Sequence, residues 1–172
     1  MPRPERWTAS EGAGTSMDFE SFYTEWRGRV FGYLVRMTGN RELAADIMQE
    51  SFTRCFARNG DIENPKAFLF TVARNLVCDH HRKAYRERDR EDLTEPAGPD
   101  PEAEFMVRER ARRTLSALAR LPETEREVLA LAAEKSLTYR EIALVCGISE
   151  AAVKVRVHRA RRKLISMLEE KP

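Results

Sequence analysis

Residues 137–164 read LTYREIALVCGISEAAVKVRVHRARRKL, and the spacing within them decides the fold. Ile142 and Ala143 mark the buried side of a short first helix. Cys146-Gly147-Ile148 is then a tight turn in which the glycine takes a positive φ. Ser149 caps a second helix, with Glu150 in its first turn, where an acid opposes the helix dipole. Val153, Val157, Ala160 and Leu164 recur at i, i+4, i+7 and i+11, so they share one inward face. The opposite arc holds Lys154, Val155, His158, Arg159 and Arg162. From Ser149 to Ile165 there are six Lys or Arg against one acid. A basic helix by itself is usually a solvated surface. Here the cap, the turn glycine and the buried alanine coincide at helix-turn-helix spacing, with a cationic arc over an apolar back. That combination suits insertion into a DNA major groove, where Lys and Arg neutralise phosphates and one or two read guanine edges.

Immediately upstream, Leu121-Pro122-Glu123 starts a supporting helix whose Val128, Leu129 and Leu131 supply core. Further back, residues 91–104 (EDLTEPAGPDPEAE) hold six carboxylates, three prolines and no basic residue. This composition predicts a flexible, self-repelling acidic linker. Residues 18–90 are dominated by helical periodicity, broken at Thr38-Gly39-Asn40 and between Arg58 and Pro65. Asn40 caps a helix running to about Ala57, and Asn64-Pro65 is a second start signal, a capping side chain followed by proline in the first turn. Residues 1–17 form a loose polar tail, and Met17 offers an alternative start. The predicted fold is all-α, with two small helical domains, 18–90 and 105–172, joined by the linker 91–104, the second containing the helix-turn-helix.

At 172 residues, with 42% hydrophobic and 34% charged residues, the chain has room for such an arrangement. A net charge of +2 says little; its distribution says more. Cys55, Cys78 and Cys146 stand far apart and are odd in number, which argues against a disulfide framework and for a reducing cytoplasm. No long apolar run or signal-peptide pattern occurs, so neither membrane insertion nor export is expected. The CDHH run at 78–81 invites a metal reading, but neighbouring ligands on a helix diverge by about 100° each and do not converge on one ion. No nucleophile–base arrangement and no glycine-rich phosphate loop is present. An enzyme is therefore not expected, nor a cofactor, a metal or a small-molecule substrate.

The helix from Asn40 to Ala57 has two faces. Ala44, Met48, Phe52 and Cys55 form an apolar one, and Glu42, Asp46, Gln49, Glu50 and Thr53 form an acidic stripe. The stripe is either a solvated surface or a dock for a basic partner. In the helix from Pro65, the spacing predicts Phe68, Leu69, Val72 and Leu76 inward. Thr71, Arg74, Asn75, Cys78 and Arg82 are predicted outward, with Asp79 at the edge. An outward asparagine among arginines, with aromatics nearby, suits unpaired nucleic acid, whose bases stack and hydrogen-bond while arginines hold phosphates. A merely charged, solvated helix stays open as the alternative. A conventional helix-turn-helix regulator with a sensing domain is the main rival reading of the whole chain.

Three stretches, AADIMQESF (44–52), FLFTVARNLVCDHHR (68–82) and LPETEREVLAL (121–131), precede the helix-turn-helix in this order. Together they resemble the extracytoplasmic-function (ECF) group of bacterial sigma factors of the sigma-70 superfamily, from about Phe19 to Leu168. The resemblance implies a promoter-specificity subunit of RNA polymerase. It implies that Asp46, Gln49 and Glu50 dock on the β′ clamp of core polymerase, while the second domain approaches the β flap. It implies that Asn75 and Asp79, flanked by Arg74 and Arg82 and by the loop Asn59 to Asn64, capture a flipped base of the melted minus-ten strand. Lys154, Val155, His158, Arg159 and Arg162 would read the minus-thirty-five duplex. The linker would thread toward the RNA exit path, and an anti-sigma factor would hold the protein silent, in some cases at the inner face of the membrane. Phe68 stands where the group usually has tryptophan. Ala152 and Val155 depart from its common recognition-helix residues, so the resemblance carries no minus-thirty-five sequence.

Overall fold

The computed structural model describes residues 19–58, 62–87 and 102–169, with side chains from 62 to 83 and from 109 onward in the last two stretches. The tail, most of the linker and Asn59 to Asp61 lie outside the described residues. Seven helices and no strand occur among those described: α1 (Phe19–Thr38), α2 (Arg41–Ala57), α3 (Pro65–Glu87), α4 (Glu102–Ala119), α5 (Glu123–Ala132), α6 (Tyr139–Cys146) and α7 (Glu150–Glu169). The all-α expectation holds.

Local chemistry explains the boundaries. Gly39 adopts φ +68° and ends α1. The Asn40 side-chain oxygen then accepts from the Glu42 and Leu43 amides at 2.9 and 3.1 Å, starting α2. Asn64 does the same for α3, accepting from the Ala67 amide at 3.1 Å. Helix α4 reaches back to Glu102, three residues into the stretch read as linker. Pro101 precedes it, and Glu102 and Glu104 lie where acids oppose the dipole, so the same residues that look linker-like also open a helix.

Helices α1 to α3 enclose an aromatic core in which Phe70 meets Trp26 and Tyr33 edge-on, with ring centroids 6.3 and 5.7 Å apart. In α3 the fully buried residues are Ala67, Leu69, Phe70, Ala73 and Val77. This corrects the predicted inward face. Only Leu69 of the predicted set is fully buried, and Phe68, Val72 and Leu76 are half-buried. In the C-terminal half, Val153, Val157 and Ala160 of α7 are buried as predicted, and Leu164 packs partly buried beside Leu118 and Leu121.

The two halves are not held apart. Helix α3 packs on α6 and α1 packs on α5. One continuous apolar cluster runs from Trp26 and Phe70 through Val128, Leu131 and Ile142 to Val153. Each such side chain withdrawn from water contributes about 1.5–3 kcal/mol, which favours this closed packing over two bodies on a tether.

Candidate nucleic-acid interface

Three cap motifs fix the helix-turn-helix. The Thr138 side chain accepts from the Glu141 amide at 3.2 Å, and the Glu141 carboxylate accepts from the Thr138 amide at 2.9 Å, a reciprocal capping box. Gly147 ends α6 in the left-handed conformation, φ +66°. The Ser149 hydroxyl oxygen accepts from the Ala152 amide at 3.1 Å and starts α7. With Val153 and Val157 locked inward, Lys154, Val155, His158, Arg159 and Arg162 are all exposed on one arc. Lys154 pairs within the helix with Glu150 at 2.9 Å, an exposed contact that a phosphate displaces at little cost. Arg159 and Arg162 line a cleft of about 490 Å³ with Arg120, which comes from the end of α4. Arg120 extends the cationic surface beyond α7. Sequence reasoning did not single it out, because only the fold brings it there.

Asp46, Gln49 and Glu50 are exposed on α2, Glu50 accepting from Arg54 Nε at 2.7 Å. The fold brings the acidic stripe and part of the α3 set together. Asp46, Glu50, Asp79 and Arg82 line one cleft of about 420 Å³ between α2 and α3. Arg82 Nη2 donates to Asp79 Oδ1 at 2.8 Å, and Asn75 is exposed. Arg74 is elsewhere. Its guanidinium pairs with Glu127 of α5, and Thr71 and Cys78 beside it are half-buried, so these three do not share the exposed face predicted for them. Phe68 is half-buried under the Arg58 guanidinium, which lies 4.9 Å from its ring centroid.

The contact between halves is segregated by charge. Among the described residues each Arg or Lys of these pairs comes from α1 to α3 and each carboxylate from α5, α6 or their connection: Arg36 with Glu134, Lys66 with Glu141 and Arg74 with Glu127, while the His81 ring stands 3.4 Å from Glu123. Glu141 does two things at once. One oxygen completes the capping box, and the other accepts from Asn64 Nδ2 at 3.1 Å and Lys66 Nζ at 2.9 Å. Burial by itself would raise this carboxyl. The hydrogen bonds from Lys66, the Thr138 amide, Asn64 and the Thr138 hydroxyl outweigh it and hold the group at about 2. Its ordinary value is 4.5, so the stabilisation is complete above about pH 4.5 and is lost as pH falls toward 2. Glu141→Gln keeps a capping-box residue and removes the charge together with one of the two acceptor oxygens, as protonation of the carboxyl does. It should lower stability at pH 7 by roughly 1–3 kcal/mol, with the deficit vanishing near pH 2. Urea midpoints at the two pH values check this; a deficit independent of pH would place the effect in packing.

The three thiols are free, and burial pushes Cys55 and Cys146 up to about 12, leaving them unreactive. Among the described residues no three His, Cys, Asp or Glu gather as a metal site, and no helix is long and apolar enough to cross a membrane.

Comparison with known proteins accounts for this arrangement. Residues 22–87 match the family model for sigma-70 region 2, and residues 111–164 match that for sigma-70 region 4. RNA polymerase sigma factor CarQ of Myxococcus xanthus is 32% identical over 164 residues, covering 91% of this chain and 92% of its own. ECF sigma factor SigM of Bacillus subtilis (strain 168) is 32% identical over 155 residues, covering 86% and 93%. In fold, the chain is similar to the sigma factor RpoE in its complex with the anti-sigma factor NepR from Bartonella quintana, with TM-score 0.71, 23% identity and 90% and 98% coverage. It is also similar to CnrH in complex with the cytosolic domain of CnrY, with TM-score 0.67, 23% identity and 90% and 89% coverage. Sigma-70 regions 2 and 4 in order, and relatives matched across nearly their whole length, settle the family: this chain belongs to the ECF group of sigma-70 RNA polymerase sigma factors, non-enzymatic specificity subunits that direct transcription initiation at particular promoters.

Proposed function

We propose that the chain reads its promoters in two parts. α7 takes the minus-thirty-five element as duplex, and the exposed side of α3 takes the minus-ten element as melted strand. The observation that carries this reading is the single exposed arc Lys154, Val155, His158, Arg159 and Arg162 over a buried valine-alanine back. A rigid helix presents such an arc to the major groove without rearranging its own core. On α3, Asn75 with Asp79 and Arg82 offers base-edge hydrogen bonds beside a phosphate-binding cation, while stacking on neighbouring rings offsets the few kcal/mol of base flipping. Arg74 joins this surface once Glu127 withdraws. Asp46, Gln49 and Glu50 dock on core polymerase, whose β′ clamp and β flap receive the two halves. No small-molecule substrate or cofactor has a part in this scheme.

The protein works in the cytoplasm, where free, unreactive thiols are at home. An anti-sigma factor holds it silent there or at the inner membrane face. The similar folds of RpoE with NepR and CnrH with CnrY support that partner. Transcription in vitro with core polymerase on genomic templates, followed by mapping of start sites, tests the whole reading: no initiation at any site overturns it. Within it, Arg159→Ala should cost about 1–3 kcal/mol of discrimination between matched and altered upstream elements. Equal loss on every sequence would make Arg159 a phosphate contact instead.

A further inference from the structure

Tyr33 of α1 is 0% exposed, and its hydroxyl is buried without a hydrogen-bond partner. The ring itself is well placed. It meets Phe70 edge-on, with centroids 5.7 Å apart, and belongs to the apolar cluster that runs through both halves. Only the oxygen is stranded. Around it stand Glu127 of α5, Cys146 of α6, and Cys78 and Arg74 of α3, side chains of both halves. The nearest carboxylate is already engaged, because Glu127 accepts from Arg74 and from the Cys146 thiol. Burial first, and then the Glu127 charge, pushes the Tyr33 phenol well above its ordinary value of 10.0. It therefore stays a neutral donor with nowhere to donate.

We propose that the Tyr33 hydroxyl is a built-in brake on closure of the two halves, satisfied by water when α5 and α6 withdraw and stranded when they return. A hydroxyl taken from water without a compensating bond opposes the burial that drives the contact. Phenylalanine would make the same ring contacts with Phe70, so packing does not call for the oxygen. Its effect is on the balance between two forms. Closure occupies Arg74 with Glu127. A closed form kept shallow leaves an open fraction for polymerase and promoter to select. The inference rests on the reading that α3 takes the minus-ten strand, and it names the group that sets how readily that surface opens.

Tyr33→Phe in the full-length chain deletes the oxygen and keeps the ring. Hydrogen exchange at the amides of α5 and α6 reads the opening equilibrium, and it should slow by about fivefold or more. Titration of labelled core polymerase should show affinity falling by the same factor, because the binding-competent fraction has shrunk. A residue that merely stabilised the fold would leave that affinity alone. Arg74→Met, which opens the contact, supplies the control background. There Tyr33→Phe should leave polymerase affinity within about twofold, since little closed form remains to be favoured.

Unchanged exchange in Tyr33→Phe overturns the inference, because the hydroxyl then costs nothing on closure. Faster exchange overturns it as well, and makes the hydroxyl a holding group that works through a buried water. Slower exchange with undiminished polymerase affinity removes the braking role, and an equal loss of affinity in the Arg74→Met background makes Tyr33 a polymerase contact instead. Transcription with core polymerase is scored separately on the parent chain. A parent that initiates while Tyr33→Phe matches it in every measurement refutes the brake alone. A parent that never initiates refutes the promoter reading, and the exchange comparison still decides whether the hydroxyl opposes closure.

Discussion

Arg74→Met will open the contact between the halves at a cost of about 3–5 kcal/mol, whereas Arg74→Met together with Glu127→Leu will cost almost nothing or stabilise it. The reason lies in an asymmetry of burial. Glu127 is 5% exposed, while the Arg74 side chain retains 29% of its exposure. Removing the guanidinium leaves a buried carboxylate with no other ion-pair partner among the described residues, and separation of α5 from α3 returns it to water. Glu127→Leu alone leaves Arg74 able to turn outward, and should cost only about 1–2 kcal/mol. With both replaced, two side chains of similar volume extend the apolar cluster already running from Phe70 to Val128. A double-mutant cycle in urea, read with small-angle scattering, checks all four proteins. The Arg74→Met protein should show a larger radius and early amide exchange in α5 and α6, and the double variant should match or exceed the parent. Additive costs would mean that the pair does not hold the closed state.

The closed state bears on the minus-ten contact proposed for α3. Arg74, which that proposal gives to the melted strand, is engaged by Glu127, as Lys66 is by Glu141. Opening and DNA binding are then linked. Any ligand that takes Arg74 in the open state favours opening by its differential affinity for the two forms.

Very little of this contact was legible in the sequence, and the reason is physical. Helical periodicity reports which residues avoid water, and a carboxylate buried against a cation leaves no apolar trace. Glu127 sat in the helix read as support, and Glu141 in the first helix of the helix-turn-helix, where only Ile142 and Ala143 were given a role. Only Thr138-x-x-Glu141 carried a signature, that of a capping box, and this speaks for one of the Glu141 oxygens. α3 shows the same limit from the other side. Its apolar residues Phe68, Leu69, Phe70, Val72, Ala73, Leu76 and Val77 span more than half its circumference, so the pattern fixes a helix but not the centre of its buried face. That centre was set by packing against α1 and by the C-terminal half covering Thr71, Arg74 and Cys78. In α7, by contrast, Val153, Val157 and Ala160 form a narrow stripe with a cap at its start, and every outward residue follows from it. The acidic stripe of α2 was equally legible as a surface, since its apolar side is just as well defined. What it touches could not be read from periodicity, because the partner is not in the molecule.

That stripe supports the other large effect. Asp46→Lys, Gln49→Ala and Glu50→Lys combined should weaken binding to core polymerase by about 100-fold or more, with the fold intact. All three side chains are exposed, and the buried side of α2, with Ala44, Ile47, Phe52 and Cys55, is untouched. The one internal loss is the exposed Glu50–Arg54 pair within the helix, worth a few tenths of a kcal/mol. Two reversed charges at a charged protein interface each cost on the order of 2 kcal/mol or more, and 1.4 kcal/mol is a factor of ten in affinity. Net charge alone must be separated from docking. Glu20→Lys with Glu25→Lys makes the same change at exposed positions on α1 and should leave polymerase affinity within about threefold of the parent. Titration of labelled core polymerase at two salt concentrations reads both variants. If the α1 control weakens binding as much as the α2 variant, the attraction is diffuse and α2 is not the dock. If only the α2 variant fails, and fails at high as well as low salt, a close and specific contact at Asp46, Gln49 and Glu50 is the remaining explanation.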